Sequence, residues 1–259
     1  MRVVTWNVNS IRARSARVGT WVDEHRPDVV LLQETRTASD DDVVAVLEPR
    51  GFEVAHHATD HRNGVAIASR VGLDDVRLGF SGVQRPPYDE ARVIAATCGG
   101  VRCWSVYVPN GRELDDPHYL FKLVWLERLR AEVGVDGPRL VAGDLNVAPT
   151  DRDIYDPKRW RRRTHASPQE RAAVDALLDS GLRDVTREHL PDDGVFTWWG
   201  YRPGQFDLNR GLRIDLALCS DDVAERVGRV WIDRDERGVA DVDGEGPSDH
   251  APVVVDLAG

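Results

Sequence analysis

The sequence predicts an α/β sandwich in which two mixed, largely antiparallel sheets pack face to face. Short apolar runs of strand length recur along the chain, several follow one another with no helix between them, and few stretches carry a helical apolar period. A doubly wound parallel sheet would need a helix between successive strands, and the chain does not supply them. At 259 residues one large core is possible, and a single domain spanning residues 1–259 is expected. A hydrophobic fraction of 41% with 8 Trp fits a packed globule and argues against extended disorder.

Val3 to Asn9 reads as a strand and Arg12 to His25 as a helix that Pro27 ends. Asp28 to Glu34 is a doubly buried strand with a carboxylate at its far end, so Asn7 and Glu34 can meet where two strands finish. Val65 to Ser69, Arg92 to Cys98 and Val101 to Val108 are further strands, the last two joined by a Gly99-Gly100 hairpin that pairs Cys98 with Val101. In that register Cys103 lies diagonally from Cys98, so no disulfide is expected there. With Cys219 the cysteines form an odd, sparse set without metal-ligand spacing, which suits a reduced compartment.

Asp116 before Pro117 starts a helix with an apolar stripe at Leu120, Leu123, Val124, Leu126 and Leu129. Leu140 to Ala142, closed by Gly143, reads as a buried strand. The alternation across Asp144, Leu145 and Asn146 sends both polar side chains to one side. Ser167-Pro168-Gln169-Glu170 is a capping box opening a helix that runs to about Leu178, with Gly181 closing it. Arg213 to Cys219, Gly228 to Ile232 and Pro252 to Leu257 complete the strands. There is no repeat, low-complexity tract or domain linker.

No apolar run approaches membrane-spanning length, and the N-terminus enters a strand pattern at once, so no signal peptide, no membrane partner and a cytoplasmic location are expected. The formal net charge of −10 argues against a polyanion partner, but a carboxylate-rich cation site contributes to it and is offset once the ion binds. The most basic stretch is Lys158-Arg159-Trp160-Arg161-Arg162-Arg163, where Trp160 adds a stacking surface suited to nucleic acid; the plain alternative is a solvated loop. His56, His57 and His61 read as a surface strand and turn without a metal role.

Polar residues recur where apolar strands end: Asn7, Glu34, Tyr107, Asp144, Asn146, Asp215, Asp249 and His250. Each alone is explained by a cap, a turn or a satisfied core hydrogen bond. Together they make a hard-oxygen site with one imidazole, suited to magnesium or manganese. Zinc suits it less, since there is no thiolate cluster and one well-placed His.

These residues lie in six ordered motifs: Trp6-Asn7-Val8-Asn9 with Ile11-Arg12-Ala13, Leu32-Gln33-Glu34-Thr35, Tyr107-Val108-Pro109-Asn110-Gly111, Gly143-Asp144-Leu145-Asn146, Asn209-Arg210-Gly211-Leu212-Arg213-Ile214-Asp215, and Ser248-Asp249-His250-Ala251-Pro252. On them the chain resembles the exonuclease III and apurinic/apyrimidinic endonuclease family, over essentially its whole length. The resemblance implies a four-layered α/β sandwich. It also implies a primary metal site at Glu34 with Asn7 and Asp249, a second at Asp144, Asn146 and His250, and Mg2+ as cofactor with Mn2+ as substitute. Asp144 would orient or deprotonate the attacking water, Asn146 would hold the phosphate, and His250, oriented by Asp215, would donate to a phosphoryl oxygen. Tyr107 would assist at the phosphate or the leaving oxygen.

The same resemblance implies that Phe196 to Tyr201 lines a slot for a flipped, baseless sugar opposite Leu212, with at least one of Trp198 and Trp199 at the surface. Arg92, Asn209, Arg210 and Arg213 resemble positions near the DNA backbone, although Arg213 reads equally as a structural salt-bridge partner. The expected activity is metal-dependent cleavage 5′ to abasic sites in double-stranded DNA, with 3′ to 5′ exonuclease and 3′-end trimming of blocked ends, by a monomer. The alternatives are a phosphoesterase of the same superfamily acting on RNA, a phosphomonoester or a phosphoinositide, and a non-catalytic nucleic-acid-binding protein.

Overall fold

The computed structural model describes residues 1–82, 90–238 and 243–259. One six-stranded sheet runs β11 (Val227–Ile232), β12 (Val253–Leu257), β1 (Arg2–Asn7), β2 (Val29–Gln33), β4 (Val65–Ser69), β3 (Glu53–His57). The other runs β5 (Asp74–Leu78), β6 (Val93–Cys98), β7 (Val101–Tyr107), β8 (Arg139–Asp144), β10 (Asp215–Cys219), β9 (Arg183–Asp184). Each sheet has one parallel pair, β1 with β2 and β7 with β8, and its other neighbours are antiparallel. A parallel pair needs a crossover. Helix α1 (Ser15–His25) supplies it for the first pair, and a long helix at Pro117–Val133 for the second.

Four layers follow from the period of two along each strand. In β2, Val29 and Leu31 enter the core between the sheets, against Ile94, Ala96, Leu140 and Ala217. Val30 and Leu32 face the other way, under α1 and α2 (Asp41–Leu47). The outer face of the second sheet, Trp104, Val106, Val141 and Leu216, is covered by α3 (Pro117–Val133) and, past the short α4 (Pro157–Trp160), by α5 (Pro168–Asp179). Among the described residues no helix is long and apolar enough to cross a membrane.

The helix starts form as the sequence predicts. Asp116 accepts the His118 N–H at 2.8 Å, and Ser167 and Glu170 close a reciprocal capping box at 3.2 and 3.0 Å. Such caps contribute about 1 kcal/mol each. The hairpin register places Cys98 opposite Val101 and Cys103 opposite Ala96, and all three cysteines are free and buried.

The expected stripe on α3 is rotated. Phe121, Trp125, Leu126 and Leu129 face the sheet, whereas Leu120 and Val124 are 66% and 53% exposed. Phe121, Trp125 and Leu129 lie four apart and bring the larger rings inward, which a reading from the aliphatic residues alone misses. Helix α1 starts at Ser15 because Ile11 to Arg14 form a turn, closed by the Arg14 N–H on the Ile11 carbonyl at 3.1 Å. Strand β5 is exposed at every position, so it carries no alternation to read. His56, expected on a surface strand, is buried between Thr35 and Asp40, both at 2.8 Å.

Candidate active site

The two parallel pairs bring their carboxyl-terminal ends to the same edge of the sandwich. Asn7 ends β1, and Glu34 follows β2 with a left-handed backbone, φ +50°. Tyr107 ends β7 directly opposite Asp144, which ends β8; Asp215, the first residue of β10, also lies opposite Asp144. Asp249 and His250 precede β12. Gly143 is dictated by the close approach of β7 and β8, because a Cβ there would lie 2.0 Å from the Val106 carbonyl oxygen. The expected residues thus gather at one place.

Hydrogen bonds fix their orientation. Asn7 Nδ2 donates to Glu34 Oε1 at 2.9 Å and to Asp144 Oδ2 at 3.0 Å, while its Oδ1 accepts the Asn9 N–H at 3.0 Å. Ser248 donates to the Asn7 carbonyl at 2.7 Å and accepts the His250 N–H at 3.2 Å, tying the segment before β12 to β1. His250 Nδ1 lies 3.1 and 2.9 Å from the two Asp215 carboxylate oxygens, leaving Nε2 3.8 Å from Asp144 Oδ2.

Burial sets the protonation states. Burial opposes a charged His250, yet Asp215 and Asp144 outweigh it and push the imidazole up to about 10, so it is a cation at neutral pH. Burial, against the attraction of His250 and reinforced by Asp215 and Glu34, raises Asp144 to about 7. Burial and then Glu34 push the Tyr107 phenol far above its usual range, making it a neutral donor. Burial alone would raise Asp249; His250 and the N–H groups of Trp198 and Asn9, both at 2.9 Å, hold it low.

Glu34, Asp144 and His250 place ligand atoms within 4.8 Å of one another. Glu34 Oε2 is buried and meets the Arg36 guanidinium in an ion pair. Two buried carboxylates, one of them with an oxygen that meets a partly exposed guanidinium, fit a hard divalent cation. The other residues of the expected ligand set hydrogen-bond within the protein. Asn7 turns its nitrogen to the carboxylates. Asn146 donates its amide nitrogen to the Val108 carbonyl at 2.9 Å and to Asp144 at 3.2 Å, with its oxygen facing away. Asp249 accepts from Asn9 and Trp198, and His250 turns its Nδ1 to Asp215.

Behind Asn146 lies a buried network that the sequence reading missed. Lys122 Nζ donates to the Asn146 carbonyl at 2.7 Å and pairs with Glu170, whose side chain also accepts from Thr164 at 2.7 Å. His165 Nε2 sits 3.0 Å from Asn146 Oδ1. The Asn110 amide nitrogen lies 3.3 Å from the same Asn146 oxygen and 3.2 Å from Nε2, so the three side chains form one cluster. Burial, with Lys122 nearby, holds His165 neutral at about 3. The one signal in the sequence was a lysine between Phe121 and Trp125, on the sheet-facing side of α3.

Several residues expected to touch DNA are structural. Trp199 is 0% exposed, its indole N–H held by Asn209 at 3.1 Å and its ring set against Phe206, and Leu212 is equally buried. Arg213 is 1% exposed and locked between Asp153 and Asp184. Arg92 is buried, with its guanidinium 4.5 Å over the Tyr107 ring and paired with Glu90. Asn209 spends its amide on Trp199 and the Gly194 carbonyl. Trp198, partly exposed, and Arg210, exposed, remain at the surface. Trp160 packs against the cluster of Ile154 and Leu212 and meets His165 edge-on at 5.7 Å, so it is not a free stacking platform. Lys158, Arg159, Arg161 and Arg210 line a cleft of about 1030 Å³ beside Tyr155.

The Endonuclease/Exonuclease/phosphatase family model matches residues 4–250. Exodeoxyribonuclease III of Haemophilus influenzae is 33% identical, with 98% of each chain covered. An AP endonuclease from Archaeoglobus fulgidus superposes with a TM-score of 0.92 at 33% identity, covering 99% of both chains. A 3′ phosphatase from Neisseria, solved bound to product DNA hairpin, gives 0.93 at 36% identity over 100% of both.

Proposed function

The chain belongs to the endonuclease/exonuclease/phosphatase family, in its exonuclease III and AP endonuclease branch, and from that premise we propose that it is a Mg2+-dependent DNA repair nuclease. It hydrolyses the phosphodiester 5′ to abasic sites and processes 3′ ends, with Mn2+ able to replace Mg2+, and it acts as a monomer on double-stranded DNA. The observation that carries this reading is the convergence of Glu34, Asp144, Asp215 and His250 at one sheet edge, with a neutral Tyr107 beside them.

Phosphodiester hydrolysis needs a water held in line, charge neutralisation on the phosphoryl oxygens and help for the departing 3′ oxygen. A divalent cation held by Glu34 and Asp144 would supply part of that neutralisation when bound. Asp144 orients the attacking water and takes its proton, and the Asn146 N–H on its Oδ1 at 2.9 Å keeps it aimed. His250 donates from Nε2 to a phosphoryl oxygen while Asp215 holds its other nitrogen. Tyr107, packed under Arg92, donates to the phosphate or the leaving oxygen. The backbone of the DNA lies along the cleft of Lys158, Arg159, Arg161 and Arg210; none of these four cations has an ion-pair partner among the described residues.

Duplex DNA carrying one tetrahydrofuran abasic analogue, and duplex DNA with a 3′-phosphate end, test the reading. Incision beside the analogue and release of the 3′ phosphate are expected with Mg2+. Cleavage that ignores the lesion, or that persists in a chelator, would falsify it.

A further inference from the structure

We propose that Arg36 is a displaceable counter-ion at the metal position: its guanidinium holds Glu34 in the metal-free protein and yields when a divalent cation binds, so that Arg36 sets the affinity of the site. The inference rests on the preceding reading of Glu34 and Asp144 as metal ligands.

Glu34 Oε1 is committed to Asn7, and the buried Oε2 faces the Arg36 guanidinium. The local backbone is built to make that contact. Glu34 and Arg36 both adopt left-handed φ, +50° and +51°, a conformation that side-chain-bearing residues take at a cost. Thr35 between them is anchored through its hydroxyl to His56 at 2.8 Å and through its N–H to the Gly64 carbonyl at 3.2 Å; the Arg36 N–H is held by the Asn63 carbonyl at 2.9 Å. Two left-handed residues around a fixed centre fold the Arg36 side chain back onto Glu34. An incidental surface ion pair would not require this.

The pair is also built to open. The Arg36 side chain is 42% exposed and that of Glu34 11%, so the guanidinium can leave into solvent while the carboxylate stays. Partly exposed ion pairs are weak. A divalent cation on Oε2 and a guanidinium on the same oxygen exclude each other by volume and repel by charge. Removing the guanidinium therefore removes a competitor.

Metal-stripped wild type, Arg36→Gln, Arg36→Met, Arg36→Lys and Glu34→Gln are titrated with Mn2+, following free ion by electron paramagnetic resonance and binding by calorimetry, with thermal unfolding as the check on folding. Arg36→Gln and Arg36→Met are expected to bind Mn2+ about ten-fold more tightly than wild type, Arg36→Lys to stay within about two-fold, and Glu34→Gln to lose binding. Neutral variants that fold and bind Mn2+ no more tightly than wild type overturn the role of Arg36 and leave the metal site standing. Failure of the wild type to bind Mn2+ at all overturns the metal reading and this inference with it.

Discussion

Asp215 holds His250 with both carboxylate oxygens, at 3.1 and 2.9 Å from Nδ1, in a buried pair that joins the start of β10 to the segment before β12. The proton on Nδ1 is thereby fixed and the imidazolium is favoured against its own burial, which raises His250 to about 10. Asp215→Asn keeps the shape and removes the charge. Turnover is expected to fall by about 10²-fold or more. Because the shift is upward, activity that needs the charged imidazole persists toward pH 10 in the wild type and is lost at lower pH in the variant. A basic limb of the kcat profile that does not move would show that His250 acts in another form.

Lys122 and Glu170 pair in a space from which solvent is excluded, and the lysine also carries the Asn146 carbonyl. Lys122→Met leaves an uncompensated carboxylate in the core and is expected to cost about 3–5 kcal/mol in urea unfolding. Lys122→Met with Glu170→Gln removes both charges and recovers part of that loss. A single variant as stable as wild type would mean that Glu170 reaches water.

Much of this site was legible in the sequence because strands buried on both faces end abruptly in polar residues, as Leu32-Gln33-Glu34 and Gly143-Asp144 do. The two-layer core followed from the same runs. What was not legible depends on direction in space. The amide nitrogens of Asn7 and Asn146 donate to the carboxylates beside them, an orientation that neither period nor spacing states. Leu212 and Arg213 sit within a motif and Trp199 in the Phe196 to Tyr201 segment, yet packing and the Asp153 and Asp184 carboxylates take them inward. His165, with φ +78°, belongs to no pattern of period or spacing.

Asp153 accepts from Arg213 at 2.6 Å and also pairs with Arg187, and these cations outweigh burial to hold its carboxyl below the ordinary range. A depressed folded-state value gives stability that is present above the unfolded value, near 4, and is lost as pH falls through the folded one. Asp153→Asn is therefore expected to be less stable by about 2–4 kcal/mol at pH 7. The gap to wild type should close below about pH 4. Unfolding curves at a series of pH values measure it, and a gap constant with pH would exclude the charge as its source.

Lys158, Arg159, Arg161 and Arg210 line one cleft together with Asp151 and Asp156, and none of the four has an ion-pair partner among the described residues, in a chain of net charge −10 in which Arg92 and Arg213 are committed to carboxylates. Unpaired like charges side by side repel, and a phosphate backbone is the partner that relieves them. Each phosphate contact releases counterions, so log affinity falls with log salt by nearly one unit per contact. Reversing Lys158, Arg159 and Arg161 to Glu should weaken duplex DNA binding at low salt and flatten the salt dependence by roughly three units of slope. The three side chains lie outside the Asp144 and His250 network, so thermal stability should hold and turnover at saturating DNA should change far less than affinity. An unchanged slope would place the DNA elsewhere on the surface and leave the cleft without that partner.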